Sequence, residues 1–243
     1  MALEEYRKKR DFKKTPEPEG KVPKKKSKDL FFCVQKHLAS ALHYDLRLEH
    51  EGVLLSWAVP KGPSLNPSDK RLAMHVEDHP IEYGDFEGVI PEGYGAGIVM
   101  LWDQGTWTPE TDDVDAALKK GDLKFQLNGY KLKGSWVLVR TRGWPGAKRG
   151  PGGESKSWLL IKHRDDWSGD LDITTFAPKS VKSDGDFEDI LAEDTPAVWI
   201  SKGETKGGEA SKMLAEIIEK AARLKAERGE KSVKKKVVGR SRK

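Results

Sequence analysis

Three polar residues alternate along one short apolar stretch of this chain. His43, Asp45 and Arg47 are separated by Tyr44 and Leu46. Successive side chains of a β-strand point to opposite faces, so the three polar residues would share one face and the apolar ones the other. An imidazole, a carboxylate and a guanidinium side by side on a rigid element suit metal binding and phosphate chemistry. The stretch therefore predicts one wall of a catalytic site.

Histidines are concentrated in the same part of the sequence. Five of the six lie between His37 and His79, and we interpret this segment as a single site. Within it, His37, His43, Asp45 and His79 offer imidazoles and a carboxylate, which with open positions suit Mn, Fe or Zn. The residue types alone do not select the ligands among these four. The lone Cys33 excludes an internal disulfide and a Cys-based zinc site, and it favours a reducing cytoplasm.

Basic residues form a second constellation. Arg47, Lys61 and Arg71 lie within the same segment of the sequence. Guanidinium groups match pairs of phosphate oxygens, and an ammonium adds a point charge. Arg47 has an equally good alternative, an ion pair with Asp45 or Glu49. The pattern predicts a phosphate-binding group beside the metal ligands.

Three further residues have supporting roles in this interpretation. Glu77 and Asp78 stand next to His79, and metal-bound imidazoles usually donate their second N–H to a carboxylate or a carbonyl. Tyr83 offers a hydroxyl to a phosphate oxygen, or else packs in a sheet.

The elements that position these residues are short. Eight runs rich in Val, Leu, Ile and Trp alternate with turn residues, which predicts an antiparallel barrel or sandwich with core tryptophans. The runs are Phe31–Val34, His43–Glu49, Val53–Val59, Leu72–Val76, Ile98–Trp102, Lys124–Leu127, Ser135–Arg140 and Trp158–Lys162. A short helix is predicted at Asp112–Lys119 with Thr111 as its N-cap, and a tight turn at Pro91–Gly97.

The flanking regions differ in charge from the body. Residues 1–28 carry a charge of +6 and residues 231–243 a charge of +7, which leaves −8 for 29–230. We interpret 1–28 as a basic arm, 29–167 as the β domain and 231–243 as a basic disordered tail. Basic ends attract nucleic acid phosphates. No signal peptide or membrane-spanning segment is apparent.

Between the β domain and the tail we expect a linker and then a helix. Residues 168–206 contain scattered acidic residues, Gly and Pro, which is typical of a linker. The pattern of residues 207–230 predicts an amphipathic helix. Its apolar side chains share one face: Met213, Leu214, Ile217, Ile218, Ala221 and Leu224. We favour packing of this face on the body, and docking to a partner is the alternative.

At this point the sequence resembles a known family, the 3′-phosphoesterase domain of DNA ligase D. The resemblance runs from about Tyr6 to Asp166. Its motifs include Gln35-Lys36-His37, His43-Tyr44-Asp45-x-Arg47, Ser56-Trp57-Ala58-Val59-Pro60-Lys61 and Val76-Glu77-Asp78-His79-Pro80-x-Glu82-Tyr83. It implies a mainly β fold, a compact antiparallel β-barrel with a few short helices, to which the C-terminal helix would be external.

The resemblance also implies an activity. Members of this family act on the 3′ end of a DNA primer strand, removing a terminal ribonucleoside and then the 3′-phosphate, typically with Mn²⁺. Carried onto this sequence, the metal ligands are His37, Asp45 and His79. The phosphate and catalytic group is His43, Arg47, Lys61, Arg71 and Tyr83, supported by Glu77 and Asp78. The substrate-binding group is Arg10, Asp11, Glu17 and Gln35.

These implications define the expected partners and the alternatives. We expect a monomer that acts on primer–template 3′ ends in the cytoplasm, away from membranes, with a separate ligase, polymerase or end-binding protein as partner. With no ligase or polymerase module in 243 residues, we expect a stand-alone enzyme or a fragment. The alternatives are a non-catalytic DNA-end-binding module and a non-haem Fe(II) oxygenase, which also uses two His and one carboxylate.

Overall fold

A computed structural model describes residues 3–4, 30–90, 96–142, 149–150, 152–193, 213 and 216–227. The predicted basic arm, except residues 3–4, and the basic tail lie outside these ranges, as do Arg10, Asp11 and Glu17. Within the described residues, no helix has both the length and the apolar character needed to span a bilayer.

The described chain is built mainly from antiparallel strands. These are β1 (Leu30–Leu38), β2 (Leu42–His50), β3 (Val53–Val59), β4 (Arg71–His75), β5 (His79–Pro80), β6 (Gly88–Ile90), β7 (Gly97–Pro109), β8 (Asp122–Gly129), β9 (Lys133–Arg140) and β10 (Ser157–Lys162). The helices are a 3-10 helix (Ile81–Asp85), α1 (Val114–Lys120), α2 (Ile173–Phe176), α3 (Phe187–Leu191) and α4 (216–227).

Eight of these strands close into a barrel, which confirms the predicted fold class. The order around the barrel is β1-β2-β3-β4-β10-β9-β8-β7, and β7 pairs with β1 to close it. All eight predicted apolar runs are strands of this barrel. The additional short strands β5 and β6 pair with the barrel strands β3 and β7, respectively. Closure leaves no unpaired edge among the eight barrel strands.

The barrel interior is filled by apolar side chains, which are large in every strand except β4, where the buried residue is Ala73. Trp57, Trp102, Trp107 and Trp136 are fully buried, as expected from their positions in the apolar runs. Trp158 is nearly so. Burial of aromatic side chains of this size is a main source of stability in a β-barrel core.

Two glycines show where backbone geometry limits the sequence. Gly97 opens β7 with φ +151°, and a Cβ there would lie 1.9 Å from the carbonyl oxygen of Leu38 on the adjacent strand. Gly121 ends α1 in the left-handed region, with φ +83°. That helix begins at Val114 rather than Asp112. Its N-cap is Asp113, whose carboxylate accepts from Ala116 N, and this corrects the prediction of Thr111.

The structure corrects the interpretation of residues 168–206 as a linker wherever it describes them. Residues 168–193 include α2 and α3 and lie against the barrel. Trp102 Nε1 donates to Ala177 O, and Phe187 and Ile190 are buried. Asp172 and Asp186 cap the two helices through their carboxylates. We call residues 172–193 the cap segment.

The C-terminal helix buries only part of its predicted apolar face, since Met213 and Ile218 are exposed. Ile217 and Ala221 in α4 are buried, and Ile217 joins the hydrophobic core. Lys220 lies 3.9 Å from Glu188 of α3, so α4 lies beside the cap segment, outside the barrel.

Candidate functional site

The site is built on the outer face of β1, β2 and β3. Antiparallel register places Gln35 opposite Asp45, and it places Arg47 opposite Ser56. Opposed residues share a face, so these polar side chains project from the same side of the sheet. The alternate residues of the same strands face the barrel interior. Among them are Val34, Tyr44, Leu46 and Val59, which line a small apolar cavity together with Trp136 and Leu160 from β9 and β10.

Two histidines and one aspartate form a compact cluster. His37 Nδ1 lies 3.6 Å from Asp45 Oδ2, and His43 Nε2 lies 3.7 Å from Asp45 Oδ1. One ligand atom from each residue lies within 4.8 Å of the others. His37 and Asp45 are buried, whereas the His43 side chain is 22% exposed. The cluster therefore has a side through which solvent or a ligand reaches it.

The hydrogen bonding of His43 favours cation binding at this cluster. His43 Nδ1 is 2.9 Å from Ala41 O, and a carbonyl oxygen only accepts, so this nitrogen carries a proton. In the neutral ring the lone pair is then on Nε2, facing the Asp45 carboxylate. Two electron-rich atoms that face one another are stabilised by a cation between them. The donor set of His37, His43 and Asp45 thus fits a divalent metal.

Arg47 occupies the centre of a second group of contacts. Its side chain is buried, with the residue only 2% exposed. Nε donates to Gln35 Oε1 at 2.7 Å, Nη1 to Ser56 Oγ at 2.8 Å and Nη2 to Asp45 Oδ2 at 3.1 Å. The Asp45 alternative in the sequence analysis is therefore correct. Glu49 instead accepts a hydrogen bond from the backbone of Phe31.

His79 and Tyr83 complete the arginine group. Arg47 Cζ lies 4.8 Å from the centre of the Tyr83 ring, and the His79 ring is 4.9 Å from the same ring. His79 Nδ1 is 3.0 Å from Arg47 Nη1 and 2.9 Å from Glu77 O. The guanidinium only donates hydrogen bonds and the carbonyl only accepts them. A protonated Nδ1 therefore donates to Glu77 O, whereas an unprotonated Nδ1 accepts from Arg47 Nη1. A proton on Nδ1 places the ring's lone pair on Nε2.

Electrostatics separates the buried groups of the site. Burial alone would raise the pKa of Asp45, but the Arg47 guanidinium beside it holds this pKa well below its usual range. Asp45 is therefore a carboxylate at neutral pH, which is the form that binds metals. Cys33, which pairs with Arg47 across β1 and β2, has its pKa raised to about 12 by burial.

The predicted metal ligands are divided between the two groups. His37 and Asp45 lie together as expected. Among the described residues, however, the third member of the compact cluster is His43, while His79 contacts Arg47. The geometry thus favours an exchange of the roles that the resemblance implies for His43 and His79.

The predicted basic group is also divided. Lys61 is exposed in the turn after β3. Arg71 donates to Asp69 at 2.8 Å. Because Met74 pairs with Ala58, which pairs with Asp45, Arg71 projects from the opposite, core-facing side of β4. The sheet register therefore does not bring Arg71 onto the face that holds Asp45 and Arg47.

The remaining predicted residues lie close to His79. Glu77 is buried and its carbonyl contacts His79, whereas Asp78 is half-buried. Ser56 is a contact that the sequence analysis missed. It is fully buried between Arg47 and His79, with Oγ 3.4 Å from His79 Nδ1. A serine in the otherwise apolar run of β3 was the available signal.

The interpretation of all five clustered histidines as one site is wrong. His50, at the far end of β2, lies 2.9 Å from Asp115 Oδ1 of α1. The His75 ring lies 5.1 Å from the Trp57 ring, on the core-facing side of β4. These five histidines are close in sequence because they lie on consecutive short strands, but the strands direct them to different faces and ends of the sheet. Of the five, His37, His43 and His79 lie on the outer face beside Asp45 and Arg47.

Comparison with known proteins gives a consistent result. Residues 35–140 match the family model described as the DNA Ligase D 3′-phosphoesterase domain. The chain is 52% identical over 187 residues to the multifunctional non-homologous end joining protein LigD of Pseudomonas aeruginosa, an alignment that covers 75% of this chain and 21% of that protein. It is 46% identical over 142 residues to the LigD of Mycobacterium bovis, covering 58% and 18%.

A third relative of this chain is also a LigD protein. The LigD of Mycolicibacterium smegmatis is 42% identical over 170 residues, covering 67% of this chain and 21% of that protein. The chain thus spans about a fifth of the length of these curated relatives. The matched range contains both histidines of the cluster, Asp45, the Arg47 group and most of the barrel. Residues 35–140 of this chain are therefore a domain of the DNA ligase D 3′-phosphoesterase family.

Proposed function

We propose that the chain is a metal-dependent phosphoesterase that processes DNA 3′ ends for repair by end joining. The observation that carries the proposal is the contact between two groups: Asp45 belongs to the imidazole–carboxylate cluster and also accepts from Arg47. A site for a divalent cation and a guanidinium thus share one carboxylate. This arrangement suits a phosphate ester, because one oxygen meets the cation while others meet the cationic group.

His37, His43 and Asp45 would hold the metal, for which we propose Mn²⁺. Bound there, it would supply Lewis-acid polarisation of a phosphoryl oxygen and a lower pKa for bound water. Asp45 is held ionised by its neighbours, so it contributes charge without first losing a proton. His43 is oriented by its bond to Ala41 O.

Arg47, His79 and Tyr83 would bind the phosphate. Arg47 donates from Nε to Gln35, from Nη1 to Ser56 and from Nη2 to Asp45, and Nη1 also faces His79 Nδ1. The orientation of the guanidinium is therefore fixed before a ligand arrives, and such preorganised cations stabilise developing charge without rearrangement. His79 is the imidazole outside the metal cluster, and we propose it as the donor of a proton to the leaving oxygen.

The substrate class follows from the family relationship. We propose that the site removes a 3′-terminal ribonucleoside from a primer strand and then the 3′-phosphate, leaving a 3′-OH. Lys61, Gln35 and the arm residues Arg10, Asp11 and Glu17 remain proposed contributors to substrate binding. A DNA ligase, a polymerase or an end-binding protein would be the functional partners.

The test is a gel assay with a 5′-labelled primer–template that ends in one 3′-ribonucleotide. We expect Mn²⁺-dependent shortening to a 3′-phosphate and then conversion to a 3′-OH. His37→Ala should abolish both steps. The matched control is His50→Ala. His50 is also a residue of β2, but it lies at the opposite end of this strand from His43 and contacts Asp115.

Two results would contradict the proposal. An untouched primer in the presence of Mn²⁺ and folded protein would leave a DNA-end-binding role. Equal loss of activity in His37→Ala and His50→Ala would show that the outer-face cluster is not the site of chemistry.

A further inference from the structure

The 3-10 helix that carries Tyr83 is short and has few supports of its own. It spans five residues, Ile81–Asp85, and its N-cap Pro80 makes no side-chain cap hydrogen bond. Helices of this type are weak in isolation because their hydrogen-bond geometry is poor. Contacts from elsewhere in the chain must therefore hold Tyr83 over Arg47.

The residues of this helix also control the orientation of Arg47. Gln35 Nε2 donates to Tyr83 O and to Phe86 O, both at 2.9 Å, and Gln35 Oε1 accepts from Arg47 Nε. A shift of the helix or of the residue that follows it would move the Gln35 amide. The guanidinium would then lose its alignment.

The cap segment binds this helix at its C-terminal end. Lys182 Nζ donates to Asp85 O at 2.7 Å and to Asp85 Oδ2 at 2.5 Å. Ser180 Oγ donates to Glu87 Oε2 at 2.6 Å, and the same carboxylate oxygen accepts from Leu101 N of β7 at 2.8 Å. Phe86, whose carbonyl meets Gln35, lies between these two attachment points.

Ser180 and Lys182 are themselves fixed to the barrel. Val181 N donates to Leu101 O, and Ser180 N donates to Gly185 O, both at 2.9 Å. Ser180 is only 5% exposed, and its Oγ also accepts from Lys182 N. The Lys182 side chain is 43% exposed, so its ion pair with Asp85 is partly screened, and Ser180 is the stronger attachment.

We infer that Ser180 and Lys182 form a latch that positions Tyr83, Gln35 and Arg47 for phosphate binding. The inference rests on the proposed function, and it adds two positioning residues that lie outside the residues matched to the family model, 35–140. The latch acts directly on the arginine group, and it reaches the cluster of His37, His43 and Asp45 through the contact between Arg47 and Asp45. The cap segment also contacts β1 where Asp186 Oδ1 lies 3.5 Å from Lys36 Nζ, but neither of these residues belongs to the latch.

The latch is tested by the double variant Ser180→Ala/Lys182→Met in the full chain. Displacements on the order of 1 Å can reduce turnover by about 10²-fold, and for this peripheral attachment we expect a rise in KM for a 3′-phosphate primer of about tenfold. Mn²⁺ affinity, measured by titration calorimetry, should change much less than KM, because His37, His43 and Asp45 are themselves unaltered. Amide exchange at Phe86, which donates to Tyr83 O, should become faster.

The matched control is Ser183→Ala/Lys179→Met, which makes the same chemical changes within three residues of the latch. It should behave as the unaltered chain in all three measurements. Lys182→Arg, which keeps a cationic donor, should retain most of the affinity for the primer.

Each outcome decides the inference. The inference is overturned if the latch variant and its control have the same KM and the same rate of amide exchange at Phe86. It is also overturned if the latch variant loses Mn²⁺ affinity by as large a factor as KM rises, because that result indicates general destabilisation. If the unaltered chain hydrolyses no phosphate ester, the proposed function fails. Exchange at Phe86 then still shows whether the latch holds the helix, so the two failures are distinguishable.

Discussion

Two regions of the molecule bury charged side chains, and they do so in different ways. One is the outer-face site around Asp45 and Arg47. The other lies between the barrel and the cap segment, where Asp103 and Lys131 are close enough to influence each other's ionisation. In the second region the partners are backbone groups and ring faces. Asp103 accepts from Lys131 N and Leu132 N, and Lys131 Nζ donates to Ala177 O and lies 4.5 Å from the Trp102 ring centre.

The difference lies in which atoms face one another. Around Asp103 each acceptor meets a donor, so the region is satisfied by the protein itself. Around Asp45, the His43 Nε2 atom faces a carboxylate that already accepts from Arg47, an arrangement that favours a cation from outside. Burial of charge therefore does not identify a functional site. A better indicator is a pair of hydrogen-bond acceptor atoms that face each other next to a solvent-exposed side chain, as His43 Nε2 and Asp45 Oδ1 do.

The ionisation of the two aspartates follows the same division. Cationic neighbours lower the pKa of Asp45, whereas burial raises the pKa of Asp103 to about 6 despite its backbone hydrogen bonds. Burial also lowers the pKa of Lys131 to about 8. In one region the cationic neighbours keep the buried carboxylate ionised, and in the other a partly buried lysine holds the cap segment through Ala177 O.

The largest expected contrast is between Asp45→Asn and Asp103→Asn. Asp45→Asn removes a negative ligand and the partner of Arg47, so kcat/KM for a 3′-phosphate primer should fall by about 10³-fold or more. Asp103→Asn should leave kcat/KM within about threefold, because Asp103 contacts no residue of the site. Steady-state kinetics measures both, with circular dichroism to establish that each variant is folded. Comparable losses in the two variants would end the distinction between the regions.

A second contrast sharpens the division within the site. His43→Ala should weaken Mn²⁺ binding by about 100-fold or more, since loss of even an outer partner of a metal ligand costs about 10- to 100-fold. His79→Ala should leave Mn²⁺ affinity nearly unchanged while lowering kcat by about 10²-fold, through loss of proton transfer or phosphate contact. Titration calorimetry combined with kinetics separates the two effects. The reverse pattern would return His79 to the metal and His43 to the phosphate, as the family resemblance implies.

The smallest effect concerns the pH dependence of stability. The folded-state pKa of Asp103 is raised above its unfolded value, so the neutral form favours folding. This contribution is fully present below about pH 4 and is lost as pH rises through 6. The unfolding free energy of the unaltered chain minus that of Asp103→Asn should therefore fall by up to about 3 kcal/mol between pH 4 and 7. Urea titrations at several pH values measure it, and a difference that rises with pH would contradict the assignment.

Much of this arrangement follows from period-two reasoning. The alternation of His43, Asp45 and Arg47 was sufficient to predict a shared face, and the eight apolar runs were sufficient to predict the barrel strands. The core tryptophans also followed from their positions in those runs. These features depend on local pattern, which a single sequence carries.

Features that depend on pairing were not predictable in this way. The position of Arg71 on the core-facing side follows from the register of β3 with β4, which local pattern does not determine. The same holds for His75. The cap segment was missed because α2 and α3 have only four and five residues, too few to show helical periodicity. Its aspartate caps, Asp172 and Asp186, were the available local signal.

Cys33 gives the closed barrel a built-in reporter. It is the only cysteine in the chain, it is fully buried, and its strand is paired on both sides, with β2 and with β7. A thiol whose pKa is about 12 is almost wholly protonated at neutral pH, and it is the thiolate that reacts with alkylating reagents. Because Cys33 pairs with Arg47 and shares its face of the sheet, reaction with a maleimide requires the groups that cover this face to move away. The labelling rate of the native protein therefore measures how often the outer-face site becomes uncovered.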